Sequence, residues 1–316
     1  RYKIIQKLGE GGMAEVFLAL DTRRNIPVAI KMPLEDLPNP VNALLRFSQE
    51  VETHGRVVHP NVVVMLDAKS EVLPDGRRVT YMVIEYVPGV TAHECVAPSE
   101  RGGFGPLPPA VAGRILLPVL GALRAMHDDG VLHRDIKPAN IMVGWNAAGY
   151  RANVWDPYSV KLMDFGIARS TEAIERRTKT KAAMGSLGYL APEQLDDAKA
   201  VDTRADLFSL GTTLWAMLAG RDPMDLHCYE ITEAVFAEIP EPWRKIAFGA
   251  TRYHKEKRAY QTAEEFGVAI EAALRDNADK LGPFERWLAQ KKIASPVEAA
   301  LRRARGKGLT MIAEAP

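Results

Sequence analysis

One ten-residue stretch decides how this chain reads: Val131-Leu132-His133-Arg134-Asp135-Ile136-Lys137-Pro138-Ala139-Asn140. A short apolar run, strand-like in composition, delivers an acid, a base and an amide in close succession. Asp135 can accept a hydroxyl proton. Lys137 can neutralise charge developing on a phosphate. Asn140 offers an amide oxygen to a hard cation such as Mg²⁺, which prefers oxygen ligands. An ordinary surface loop has no need of that order.

Three further segments gain meaning beside it. In Val160-Lys161-Leu162-Met163-Asp164-Phe165-Gly166 an aspartate leaves an apolar strand, followed by an aromatic and a glycine. Asp164 is then a natural second ligand for the same cation, with Phe165 as an apolar packing switch; a plain turn aspartate would look the same in isolation. Val28-Ala29-Ile30-Lys31 ends a strand on a lysine. A partly buried ammonium needs a counter-charge, and Glu50 is the candidate, on the helix expected over residues 41–57. Gly9-Glu10-Gly11-Gly12-Met13-Ala14-Glu15-Val16 places glycines in a strand turn, where backbone N–H groups can approach an anion without Cβ interference. A simple hairpin would carry the same glycines. The pattern Gly-x-x-x-x-Gly-Lys-Ser/Thr is absent, which excludes the P-loop class.

The 316 residues include 41 Lys and Arg against 40 Asp and Glu, a formal net charge of +1. No global field points to nucleic acid or to a basic partner. With 47% apolar and 26% charged residues the chain is an ordinary globular sequence. Cys95 and Cys228 lie far apart, which suggests reduced thiols and a cytoplasmic setting. The longest uncharged stretch, Leu207 to Gly220, falls short of the ~20 residues of a membrane span. The chain begins at Arg1, so an anchor outside it remains compatible with this reading.

Apolar periodicity predicts strands over Tyr2–Leu8, Glu15–Leu20, Ile26–Met32, Val62–Ala68 and Val79–Tyr86. A helix over 41–57 has Leu44, Phe47, Val51 and His54 on its stripe. After Gly89 the pattern turns helical, over 110–128, 202–219 and 261–275, behind a Pro- and Gly-rich stretch (98–109) that reads as a surface loop. A strand-rich N-terminal lobe therefore joins a helix-rich C-terminal lobe, and clefts between such lobes commonly take ligands. Residues 144–159, with Trp145, Tyr150, Trp155 and Tyr158, suggest a long hairpin over an aromatic cluster. Phe284, Trp287, Leu288 and Ile293 suggest a helix packed on the body. Arg302, Arg303, Arg305 and Lys307 form a basic tail.

In this order, with Ala191-Pro192-Glu193 and Arg258 downstream, the segments resemble the protein kinases, specifically the bacterial eukaryotic-like Ser/Thr kinases. The resemblance covers about residues 1–275. It implies an α+β bilobal kinase fold, with an antiparallel-sheet N-lobe (1–86) carrying one main helix, a mostly helical C-lobe (87–275) and a helical extension (276–316). It implies ATP and Mg²⁺ (or Mn²⁺) as cofactors and protein Ser/Thr hydroxyls as substrates. Gly9, Gly11, Gly12 and Val16 would cover the nucleotide, Ala29 would pack on adenine, and Ile84 would be the gatekeeper. Glu85 and Val87 would offer backbone groups to the adenine edge. Lys31, held by Glu50, would bind the α- and β-phosphates. Asp135 would receive the hydroxyl proton, Lys137 would steady the γ-phosphate, and Asn140 and Asp164 would hold the metal. Arg134 would bind a phosphate placed by autophosphorylation on the activation segment, at Thr171, Thr178 or Thr180. Ser186 stands where the family usually has threonine. Self-association for phosphorylation in trans is a further implied possibility. The contrasting expectation is a pseudokinase scaffold that binds nucleotide and partners without turnover.

Overall fold

The computed structural model describes residues 1–11, 14–34, 40–72, 76–145, 158–165, 187–196, 201–223, 233–275 and 282–294. The chain divides into two compact units. The first comprises Arg1–Val58, Val63–Pro88 and Gln290–Pro316, and the second His59–Val62 and Gly89–Ala289.

The first unit is built on β1 (Tyr2–Glu10), β2 (Ala14–Asp21), β3 (Ile26–Pro33), β4 (Met65–Val72) and β5 (Arg78–Glu85). Their antiparallel pairs give the order β1-β2-β3-β5-β4. Because side chains alternate along a strand, Val28 and Ile30 join Ala19 and Val83 in the core of one face, with Tyr2, Met32, Leu66 and Tyr81 packed around them. Ala29 and Lys31 go to the other face.

Helix α1 (Pro40–Arg56) packs on β3 and β4. Its buried residues are Phe47, Glu50 and His54, whereas Leu44, expected on the buried stripe, is 42% exposed. Polar partners rotate the face: Lys31 lies against Glu50, and the Val63 carbonyl meets His54 Nε2 at 2.5 Å. Leu44 instead lines an open cavity of about 670 Å³ with Met32, Leu34, Val79 and Tyr81.

The strand expected over 62–68 is also shifted, to Met65–Val72. Val62 belongs to the second unit, where it bridges Leu162. Beside it Leu162 donates its N–H to Asn61 O (2.8 Å), and Asn61 Nδ2 donates to Val160 O (2.9 Å). An apolar run does not say which sheet it will join.

The second unit holds the antiparallel strands β6 (Val90–Thr91), β7 (Ile141–Trp145) and β8 (Tyr158–Leu162). Around them lie α2 (Ala92–Val96), α3 (Pro109–Asp128), α4 (Pro192–Asp196), α5 (Arg204–Ala219), α6 (Trp243–Ala250), α7 (Ala263–Arg275) and the first part, through Ala289, of α8 (Pro283–Ala294). Helix α5 is buried without interruption from Ala205 to Met217, the mark of a core helix. Helix α3 runs through Pro118 unbroken and packs on α5, α7 and β8. It is long and apolar enough to cross a membrane, yet 61% of that window is buried inside the protein.

A Cβ on Gly113 would stand 2.4 Å from the buried Trp243 ring, so α3 and α6 touch backbone to ring. The segment 98–109 is less of a surface loop than its composition suggests. Gly103, Gly105 and Leu107 are buried, a Cβ on Gly103 would meet Ala97 O at 1.9 Å, and Leu107 N donates to Met217 O. Gly103 serves close packing, whereas Gly102 and Gly105 adopt positive φ, 80° and 93°. Cys95 is a buried thiol; Cys228, Tyr150, Trp155 and the basic tail lie outside the described residues.

Candidate active site

Each unit organises its own set of polar groups. In the first, the β3 register pairs Ala29 with Ile84 and Lys31 with Met82. The Lys31 ammonium sits 2.5 Å from Glu50 Oε1, both residues 9% exposed. This is the counter-charge that the sequence demanded. Ile84 and Ala29 are buried neighbours. The Glu85 N–H donates to Val64 O (2.9 Å) and its carboxylate accepts the Val64 N–H (2.8 Å), so the strand's edge is fixed before Val87. Gly9 pairs with Val16, and Gly11 N closes a turn on Ala14 O at 2.8 Å. A Cβ on Gly9 would meet nothing; nothing inside the unit requires glycine there. Gly12 lies outside the described residues.

In the second unit the loop 133–140 is held from beneath by Asp206, fully buried at the start of α5. Its carboxylate accepts the N–H of His133 (2.9 Å) and of Arg134 (2.7 Å) and lies 2.9 Å from His127 Nε2. Burial alone would raise its pKa; the His127 hydrogen bond and the backbone donors outweigh that and hold the carboxyl below its ordinary range. Arg134 adopts φ 63°, a left-handed conformation costly for a side chain this size, and the two N–H bonds to Asp206 stabilise it. His133 is completely buried, and desolvation pushes its pKa down against the pull of Asp206 and Asp135. It is therefore neutral: Nε2 donates to Met163 O (3.0 Å) and Nδ1 accepts Asp135 N–H (3.3 Å).

That frame positions the chemistry. Lys137 Nζ lies 3.0 Å from Asp135 Oδ2. Asn140 Nδ2 donates to the Asp135 carbonyl (2.8 Å), which turns its amide oxygen away from that carbonyl. Met163 N donates to Asn140 O (2.9 Å), tying the start of β7 to the end of β8 just before Asp164, at φ 56°. The Phe165 ring sits 5.2 Å from that of His133. Among the described residues no three His, Cys, Asp or Glu side chains cluster to hold a metal alone. A site of one carboxylate and one amide oxygen fits Mg²⁺, which keeps waters and shares itself with substrate phosphates.

The structure pairs Lys31 with Glu50 and bonds both Lys137 and Asn140 to Asp135, while Asp164 follows Met163, whose N–H is bonded to Asn140 O. The sequence reading missed the roles of Asp206 and His127, whose only signal was a second histidine six residues before His133. Thr171, Thr178, Thr180 and Ser186 lie outside the described residues. Downstream, Arg258 forms a two-pronged pair with Glu193 (2.7 Å each).

The sequence profile of the protein kinase domain matches residues 2–281. The chain belongs to the protein kinase family. Its relatives include the probable serine/threonine-protein kinase PknB of Corynebacterium glutamicum, 40% identical over 226 residues, 71% of this chain and 32% of that protein. PknB of Bifidobacterium longum, also described as a probable serine/threonine-protein kinase, is 33% identical over 326 aligned positions, 94% of this chain and 45% of the relative. The crystal structure of the PknI kinase domain of Mycobacterium tuberculosis superposes with a TM-score of 0.64 at 25% identity, covering 86% of this chain and 95% of that one. The chain is a bacterial eukaryotic-like Ser/Thr kinase domain with the bilobal α+β fold of that family. It spans a third to under half of the length of those curated relatives. Use of ATP and a divalent metal follows from the family.

Proposed function

We propose that this domain transfers the γ-phosphate of ATP to Ser or Thr hydroxyls of proteins, with Mg²⁺ as the preferred metal. The observation that carries this reading is the second unit's assembled loop, in which Asp135, Lys137 and Asn140 are fixed by hydrogen bonds in one turn of chain. Asp135 orients the incoming hydroxyl and receives its proton as the new P–O bond forms and the β,γ-bridging P–O bond breaks, releasing ADP. Lys137 offsets charge on the transferring group. Asn140 Oδ1 and Asp164 would hold the metal, which would supply charge neutralisation for the transferring phosphate. Lys31, kept in place by Glu50, binds the α- and β-phosphates. Gly9, Gly11 and Gly12 leave room for the phosphate chain, and Ala29, Ile84, Glu85 and Val87 receive the adenine. A lysine two residues after the catalytic aspartate supports Ser/Thr over Tyr.

Regulation follows from Arg134. Its Nε is buried and makes no hydrogen bond, an arrangement suited to receiving a phosphate from Thr178 or Thr180. No observation favours a scaffold without turnover. Asp135→Asn is the test, with labelled ATP, Mg²⁺ and a generic basic protein as substrate. Transfer should fall about 10²–10⁴-fold with nucleotide affinity nearly unchanged, because the carboxylate acts in the transition state. Transfer surviving within tenfold of wild type would remove Asp135 from this role.

A further inference from the structure

The end of β8 remote from Asp164 carries a polar contact that the kinase reaction does not use. Tyr158, 1% exposed, donates its hydroxyl to Glu285 Oε1 on α8. Glu285 is itself 4% exposed, and its other oxygen accepts the Gly282 N–H at 2.8 Å. Arg114 of α3 hydrogen-bonds the same phenol, whose pKa burial, with Glu285, drives far above the ordinary tyrosine value. Around this contact Phe284 packs edge-on against Tyr158 (5.9 Å) and Phe104 (5.3 Å) and stacks on Trp287 (5.6 Å). Helix α8 begins at Pro283, after the last residue matched by the kinase profile. It is therefore an addition to the shared pattern, docked by a buried carboxylate.

Burying a carboxylate is costly, and an apolar pair of similar size would dock α8 at lower cost. What a hydrogen bond adds is direction: it fixes where Tyr158 stands along the strand, whereas apolar packing tolerates sliding. Position along β8 matters because of what lies at its other end. The β7–β8 register runs from Trp145↔Tyr158 to Ile141↔Leu162, about 13 Å of strand at the usual rise. Beyond it the Met163–Asn140 bond leads directly to Asp164. On its second edge β8 is bonded to Asn61. A strand laddered on β7 along one edge and pinned to Asn61 at its Val160–Leu162 end on the other transmits an axial shift rather than absorbing it by bending.

We infer that Glu285 is a positioning residue for the metal: by capturing the Tyr158 hydroxyl, α8 sets the register of the β7–β8 hairpin and so the spacing of Asn140 and Asp164. This rests on the assignment of those two residues as metal ligands. The test measures Mn²⁺ binding, with a non-hydrolysable ATP analogue, by electron paramagnetic resonance, alongside Mg²⁺ activation of transfer and Tm. Tyr158→Phe keeps the ring volume and removes the donor; Glu285→Gln keeps the side-chain volume but turns one acceptor oxygen into an NH₂, so it cannot accept from both the Tyr158 hydroxyl and the Gly282 N–H. Each should weaken Mn²⁺ binding about three- to tenfold, below the effect of removing a group bonded directly to a ligand, and raise the Mg²⁺ needed for half-maximal rate by the same factor. Leu288→Ala, a cavity in the same helix contact, should lower Tm at least as much and leave Mn²⁺ affinity alone. Unchanged affinity in both polar variants, or affinity tracking Tm in all three, overturns the inference. Asp164→Asn separates the two levels. If it abolishes Mn²⁺ binding while the polar variants do not, only the role of Glu285 falls; if it binds normally, the ligand assignment falls and takes the inference with it.

Discussion

Arg258→Ala tests whether the segment that ends in Ala191-Pro192-Glu193 is held by one buried ion pair. The Arg258 side chain is 0% exposed and its two terminal nitrogens each reach a Glu193 oxygen at 2.7 Å. The guanidinium also donates to the carbonyls of Arg204 (2.9 Å) and Arg252 (3.0 Å) and lies 5.0 Å from the Phe208 ring centre. Truncation leaves a largely buried carboxylate, 11% exposed, and those carbonyls without the Arg258 donors. Removing one partner of a buried pair typically costs ~3–5 kcal/mol, a large part of the ~5–15 kcal/mol that a domain has. At ~2–4 °C per kcal/mol for a body of this size, Tm should fall by about 6–20 °C in differential scanning fluorimetry. Glu193→Ala should behave alike, and the double variant should be much less destabilised than the sum of the two. Arg258→Lys, which keeps the charge but loses the fork, should lie between. KM for a protein substrate should rise more than KM for ATP. A Tm within about 2 °C of wild type for Arg258→Ala, or additive single variants, would refute the reasoning.

Two further outcomes follow from burial. The native pKa of His133 lies below its unfolded value of ~6.5, so the unfolded chain binds a proton that the native one refuses as pH drops. Stability is therefore complete above about pH 6.5 and declines on acidification toward the lower native pKa; a Tm flat between pH 7 and 5 would contradict the neutral histidine. Gly113→Ala forces a methyl against the fully buried Trp243, and urea unfolding should show a loss of ~1–3 kcal/mol. Wild-type stability there would mean that α3 and α6 are not in contact as described.

The segments 133–140 and 28–31 were the legible ones, because acid, base and amide at fixed spacing around 135–140 have few other uses, and because a strand ending on Lys31 calls for a counter-charge, which Glu50 supplies. What escaped depends on partners far along the chain. Val62 reads as the start of β4 and instead bridges Leu162. The α8 helix was foreseeable from Phe284, Trp287 and Leu288, but nothing local shows that Glu285 on it meets Tyr158, 127 positions away. The left-handed backbone at Arg134 leaves no trace in residue type and is held by the bonds from Asp206 of α5; at Asp164 it falls on a residue type that tolerates it.

Asp206 imposes a selection rule on its own position. Three donors converge on it, two of them peptide N–H groups that cannot be inverted. Asparagine has almost the same volume, yet its NH₂ would have to face one of them. Hydrogen inventory, not shape, thus decides which amino acid this place admits, and a variant scored harmless on size would still unlatch the loop that carries Asp135.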